Sequence, residues 1–164
     1  EKPVIAAVNG VAAGMGVHMA LACDLVLAAE SATLREVFVH RGVVPDSGGA
    51  YLLGRLIGPQ KAKELLFFGR TIDAVQAERM GLVNRVAPDD RFDDLVHEWA
   101  SELAAGPTRT IALCKSLVNR SLDLGRDDSL ALESFVQDMN MATVDAAEGV
   151  SAFLERRPTD FVGW

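Results

Sequence analysis

The sequence is short of several things, and each shortage closes off a class of protein. It holds two cysteines in 164 residues, Cys23 and Cys114, both in apolar surroundings. A disulfide framework is therefore not expected, and a reduced, cytoplasmic compartment is the simplest assignment. No apolar run approaches the roughly 18–20 residues that a membrane-spanning helix needs, and none after Glu1-Lys2-Pro3 is long enough for a signal-peptide core. Positive charge is in deficit, with 16 Lys and Arg against 23 Asp and Glu and a net charge of −7. Nucleic-acid binding needs a basic footprint, so that partner class is excluded. His40 and His97 have no partner pattern, and no His/Cys/carboxylate spacing suggests a metal. Internal repeats, low-complexity segments and flexible linkers are missing too.

What is present, 49% hydrophobic and 24% charged residues, suits one globular domain with a real core. The chain starts without Met and almost at once inside a strand-like run, which suggests a piece of something longer. Residues 4–8 read as a buried strand closed by Asn9-Gly10. After Gly14-Met15-Gly16 comes a helix over 17–22, then a strand over 24–29 and a short one at Thr33-Leu34. Strand, glycine turn, helix, strand is the pattern of an α/β core. Helices follow over 50–57, 60–68 and 74–80, the last with Gly81 placed for a left-handed cap. Residues 83–86 read as a last strand. Apolar spacings of three and four then give helices over 92–105, 110–124, 129–141 and 144–155. The expected organisation is a core over 1–105 and a helical region over 106–164.

Four stretches carry candidate chemistry. In "NGVAAGMGVHMALACD" the glycines between strand and helix let helix-end N–H groups meet an anion or a developing oxyanion. Tight helix–strand packing explains the same glycines without a ligand, and the G-x-x-x-G-x-G spacing is not a dinucleotide fingerprint. His18, one turn into that helix, is either a packed side chain or a titratable group facing a pocket. In "RGVVPDSGGA" Val43 and Val44 are expected to be buried and Pro45 to stiffen the turn. Asp46 or Ser47 there is either an N-cap for the next helix or, for Asp46, a proton carrier. The letters "PDSGG" also imitate the nucleophile region of trypsin-like proteases, but a helix-rich chain with two cysteines does not fit those all-β enzymes. Near the end, Arg156-Arg157 among Phe153 and Phe161 is either a phosphate site or a solvated helix terminus.

In their order, "KPVIAAVNGVAAGMG" with "ALACDLVLA", "GVVPDSGGAYLLGRLIG", "AKELLFFGRTIDAVQAERMGLVNRV" and "EGVSAFLERRPTDF" resemble the enoyl-CoA hydratase/isomerase (crotonase) superfamily. The similarity runs from Lys2 to Phe161. It implies an α/β fold, a spiral of ββα units with a helical C-terminal trimerisation region, and assembly as a homotrimer or a dimer of trimers. It implies an acyl-CoA thioester as substrate, with coenzyme A as part of that substrate and no separate cofactor. By the same resemblance the Met15 N–H is one oxyanion donor, Ala13, Gly14, Val37 and Phe38 line the substrate site, and Arg156 and Arg157 approach the coenzyme. Family chains are longer at the N-terminus, where the second oxyanion donor is carried, so the fragment alone is expected to be inactive.

The departures are informative. Hydratases of the family carry glutamates at the positions of His18 and Phe38, and neither is present here. Asp46 stands where some family isomerases keep a proton-shuttling aspartate, and the segment particularly resembles epoxyphenylacetyl-CoA isomerases. A pocket lined by Phe38, Val43, Val44 and Leu52 would desolvate that carboxylate. Glu36, two residues from Phe38, is not taken as a substitute. The resemblance thus implies an isomerase with Asp46 as the proton shuttle and His18 as a pocket residue. A hydratase of altered activity and a non-catalytic acyl-CoA binder stand as the alternatives.

Overall fold

The computed structural model describes residues 2–164, and among these run six short strands and eight α-helices. The chain divides into two compact units at Glu98/Trp99, with the opening residues grouped with the second.

The first unit runs through β1 (Ile5–Val8), β2 (Val11–Ala13), α1 (Met15–Leu21), β3 (Leu25–Ala29) and β4 (Thr33–Arg35). A 3-10 turn (Phe38–Arg41), α2 (Gly49–Leu56), α3 (Gly58–Phe68), β5 (Thr71–Asp73), α4 (Ala74–Met80) and β6 (Arg85–Ala87) follow. The first four strands alternate between two sheets and β5 stays with β4: β1, β3 and β6 form one sheet, in that order, and β2, β4 and β5 the other. Strand, strand, helix is therefore the repeating step. β3 is the middle strand of an all-parallel sheet, with Ile5 opposite Leu25 and Leu27 opposite Arg85. Val26, Leu27, Ala28 and Ala29 are accordingly all buried, as expected of a strand covered on both faces. β5 pairs antiparallel to β4, with Ile72 opposite Leu34.

Local chemistry sets the element ends. The Asp73 carboxylate accepts from the Gln76 N–H at 2.7 Å and starts α4. Gly81 ends that helix at φ 84°, in the left-handed region its position predicted. The expected strand over 83–86 is displaced to Arg85–Ala87. Asn84 is the reason: its Oδ1 accepts from the Val26 N–H at 2.7 Å while its own N–H donates to the Val26 carbonyl at 2.8 Å. The sequence pattern did not anticipate β2 or β5, each only three residues long.

The expectation that Val43 and Val44 are buried is wrong. They are 53% and 81% exposed, on the loop that leads from the 3-10 turn to α2. An apolar pair in a connection has no sheet or helix face to turn inward, and here it lies on the surface.

α5 (Phe92–Ala105) spans the division, and the second unit continues with α6 (Thr108–Ser121), α7 (Arg126–Met141) and α8 (Val144–Glu155). Thr110 Oγ1 donates to Asn140 Oδ1 at 2.8 Å and joins α6 to α7. Thr143 caps α8 by accepting from the Ala146 N–H. The last residues fold back on α8: Asp145, 2% exposed, accepts from the N–H groups of Val162 and Gly163, each at 2.8 Å. Its own N–H donates to the Trp164 carbonyl at 2.7 Å. Large apolar side chains on this unit, among them Leu122, Phe135 and Phe153, remain exposed. No helix among the described residues is long and apolar enough to cross a membrane.

Candidate active site

The glycine turn between β2 and α1 is built as the sequence suggested. Gly14 is the N-cap of α1 at φ 53° with no side-chain cap, and its N–H donates to the Arg35 carbonyl at 2.9 Å. Met15 is the first residue of α1, where helix geometry leaves the backbone N–H without an intrahelical acceptor. A side chain at Gly14 would meet the Phe38 ring at 3.3 Å and Val37 Cγ2 at 3.4 Å. The structure therefore brings Gly14, Val37 and Phe38 together, with Ala13 ending β2 beside them.

Behind Phe38 lies His18. The two rings stack with centroids 5.4 Å apart and planes 7° from parallel. The imidazole is fully buried, and its Nε2 is 3.1 Å from Oε2 of Glu36, a residue that is 3% exposed. Burial pushes the Glu36 carboxyl above its ordinary range, against the attraction and hydrogen bond of His18, which pull it down. His18 Nδ1 and Glu36 Oε1 are buried with no hydrogen-bond partner among the described residues. Glu36 is the site residue that sequence reasoning missed. The signal was available: Leu34 and Glu36 are two apart at the end of a strand and share its inner face, and both are buried.

Close to the imidazole, at its Nε2 and Cε1 atoms, is Gly49, the first residue of α2. A Cβ there would fall 2.0 Å from His18 Nε2, so only glycine lets the helix come this close. The Gly49 N–H donates to the Asp46 carbonyl at 3.0 Å, which seats the Asp46 turn against the ring. The N-cap of α2 is Gly48, at φ 81°, and no side chain caps this helix. Asp46 lies two residues before the cap position, so the capping role considered for Asp46 or Ser47 is not what the turn does. Ser47 sits at φ 49°, in the left-handed region that serine seldom occupies. The desolvating pocket expected around Asp46 is not formed within this chain: Asp46 is exposed, as are Val43 and Val44, while Leu52 and Phe38 are half-buried.

The terminal arginines belong to the second unit and differ from each other. Arg157 is held by Glu148 through Nη1 at 2.6 Å and Nη2 at 2.8 Å, and by Glu155 at 2.6 Å. These bonds from Arg157, with one from the Asp160 N–H, pull the Glu148 carboxyl down to about 2. Arg156 is exposed and ends α8 at φ 57°. Phe161 packs against Gly149, whereas Phe153 is 81% exposed. Of the other histidines, His40 hydrogen-bonds the Gly69 carbonyl at 3.0 Å, tying the 3-10 turn to α3.

Comparison with known proteins decides the family. The enoyl-CoA hydratase/isomerase family model matches residues 1–163. The chain belongs to the enoyl-CoA hydratase/isomerase family. A probable enoyl-CoA hydratase of Rhodobacter capsulatus is 42% identical over 98% of the chain. The 1,2-epoxyphenylacetyl-CoA isomerase of Escherichia coli is 40% identical over 99% of it. The chain spans 63% and 62% of the length of these two relatives. The crystal structure of an enoyl-CoA hydratase from Bacillus anthracis superposes with a TM-score of 0.94 at 36% identity, covering 99% of this chain and 63% of that one. The crotonase-type α/β fold that the motifs implied is thus the fold of this chain, and its ββα steps are the units of that spiral.

Proposed function

We propose that the complete protein is an acyl-CoA isomerase. A thioester enolate is held by the Met15 N–H together with a second donor outside this chain, and Asp46 moves the proton between carbons. The carrying observation is that rings fill the two positions where family hydratases keep carboxylates, with Phe38 stacked on His18. Neither phenyl nor a sealed imidazole can present an ionised oxygen to a water. Asp46 is left as an exposed carboxylate that caps no helix, and an isomerase needs one well-placed base near an enolate. Acyl-CoA thioesters are its substrates, with coenzyme A entering as part of them. The exposed apolar side chains of the helical unit are the surface for self-association into trimers. Arg156, unlike Arg157, is free of an ion pair within α8 and is the better candidate to meet a coenzyme phosphate.

The test is Asp46→Asn in the complete protein. Turnover of unsaturated acyl-CoA substrates is expected to fall by about 10²-fold or more, the usual weight of a general base. Unchanged turnover overturns the proposal.

The buried Glu36–His18 pair favours a second function, hydration by a carboxylate–imidazole couple in place of two glutamates. Reaction in oxygen-labelled water separates the two, because hydration leaves oxygen in the product and isomerisation leaves only hydrogen. Binding of CoA thioesters with no turnover across a substrate panel would instead identify a non-catalytic member.

A further inference from the structure

Four groups are neighbours in series within the first unit: Gly14, the Phe38 ring, the His18 ring and Gly49. The two glycines of this series belong to the turns that the proposed chemistry uses. Met15 follows Gly14 directly, and the Gly49 N–H is bonded to the Asp46 carbonyl. The two stacked rings therefore link the Met15 turn to the Asp46 turn. A lone imidazole can rotate about its side-chain torsions. This one is pinned by Glu36, 3.1 Å from Nε2.

Packing alone does not account for the pair. A buried ionisable pair is commonly no more stabilising than apolar groups of equal volume. Here the comparison is less favourable still, since His18 Nδ1 and Glu36 Oε1 are both buried without partners. What a hydrogen-bonded ring supplies and an apolar one does not is a fixed orientation.

We propose that His18 and Glu36 are positioning residues, which lock the ring stack and so hold the Asp46 turn at a fixed distance from the Met15 turn. Both are buried in this chain, and in the isomerase neither is a catalytic residue. The effect on turnover rests on the acyl-CoA isomerase function; the effect on the turn does not.

The experiment compares Glu36→Met with Glu36→Gln in the complete protein, reading hydrogen exchange of the Gly49 amide alongside kcat and KM. Glu36→Met keeps the volume and removes the hydrogen-bonding group. It is expected to speed Gly49 exchange about tenfold or more, by loosening the turn, and to lower kcat about tenfold with KM within about twofold. Glu36→Gln keeps a group that can hydrogen-bond Nε2 in either tautomer and is expected to restore both to within about threefold of the parent. Parent-like exchange and kcat in Glu36→Met overturn the proposal, and so does a Gln variant as impaired as the Met variant. If Glu36→Met does not fold, His18→Phe replaces it: the stack keeps a ring but loses its pin, and the same two changes are expected. Parent-like behaviour there overturns the proposal equally. If Asp46→Asn leaves turnover intact while Gly49 exchange responds as expected, the positioning role stands and the catalytic role of Asp46 falls.

Discussion

Among the described residues two carboxylates are buried, Glu36 in the strand-bearing unit and Asp145 in the helical one, at 3% and 2% exposure. Asp145 places one oxygen on the Val162 N–H and the other on the Gly163 N–H. Glu36 uses one oxygen on His18 and leaves the second without a partner. Buried polar groups are nearly always satisfied, and a fully satisfied one is explained by the structure it holds together. The half-satisfied pair, beside a closely approached glycine and a left-handed serine, is where the chain departs from the requirements of folding alone. Asp145 is a fastening. Glu36 lies at the candidate site.

Asp145→Ala tests that contrast most severely. It removes two charge-assisted hydrogen bonds at once and is expected to destabilise the chain by about 3 kcal/mol, measured by urea unfolding. Loss of tail order should accompany it. An effect below about 0.5 kcal/mol, the scale of an ordinary surface change, would contradict the fastening role.

Gly49→Ala comes next. Its Cβ would fall within 2.6 Å of three imidazole atoms, so the ring or α2 must shift. Overpacking of this kind costs about 2 kcal/mol. Adding His18→Ala opens the space and should recover part of the loss. If the double variant is no more stable than Gly49→Ala alone, the close approach of Gly49 to the ring is not what the glycine is for.

The smallest effects are in pH dependence, and they have opposite signs. Glu36 has a raised folded-state pKa, so its folded form holds the proton more tightly than the unfolded chain does. Stability from this group is present below its ordinary value near 4.5 and is lost as pH rises above it. Glu148, pulled down to about 2 by Arg157 and the Asp160 N–H, contributes above 4.5 and loses that contribution as pH falls from 4.5 toward 2. Urea midpoints followed across this range should lose the first slope in Glu36→Gln and the second in Glu148→Gln. The second should also weaken with added salt, since the Arg157–Glu148 pair is partly exposed. Identical pH profiles for the two variants would erase the distinction between the regions.

Much of the fold was legible because its helices carry their own signals. α4, α5 and α8 begin and end where apolar spacing, Gly81 and the residues before Arg156 placed them. β2 and β5 were not legible, because three residues hold no periodicity and their pairing with β4 is decided by distant parts of the chain. At the candidate site, motif and resemblance named Gly14, Val37 and Phe38, and the structure places the three side by side. Glu36 was passed over because its offset from Phe38 was weighed and its alternation with Leu34 was not. Val43 and Val44 misled for a different reason: apolar composition predicts burial only where an element offers a face to bury. Resemblance put Asp46 at a reactive position, but only coordinates could remove its capping role.

The left-handed serine has a consequence for the unfolded chain. Replacing Ser47 with glycine would relieve about 1 kcal/mol of native strain at φ 49°. It would also create three glycines in a row, 47 to 49, and widen the denatured ensemble by roughly 0.4–1 kcal/mol. The two terms nearly cancel. Serine therefore keeps the turn after Asp46 stiff in the native state at almost no net loss of stability.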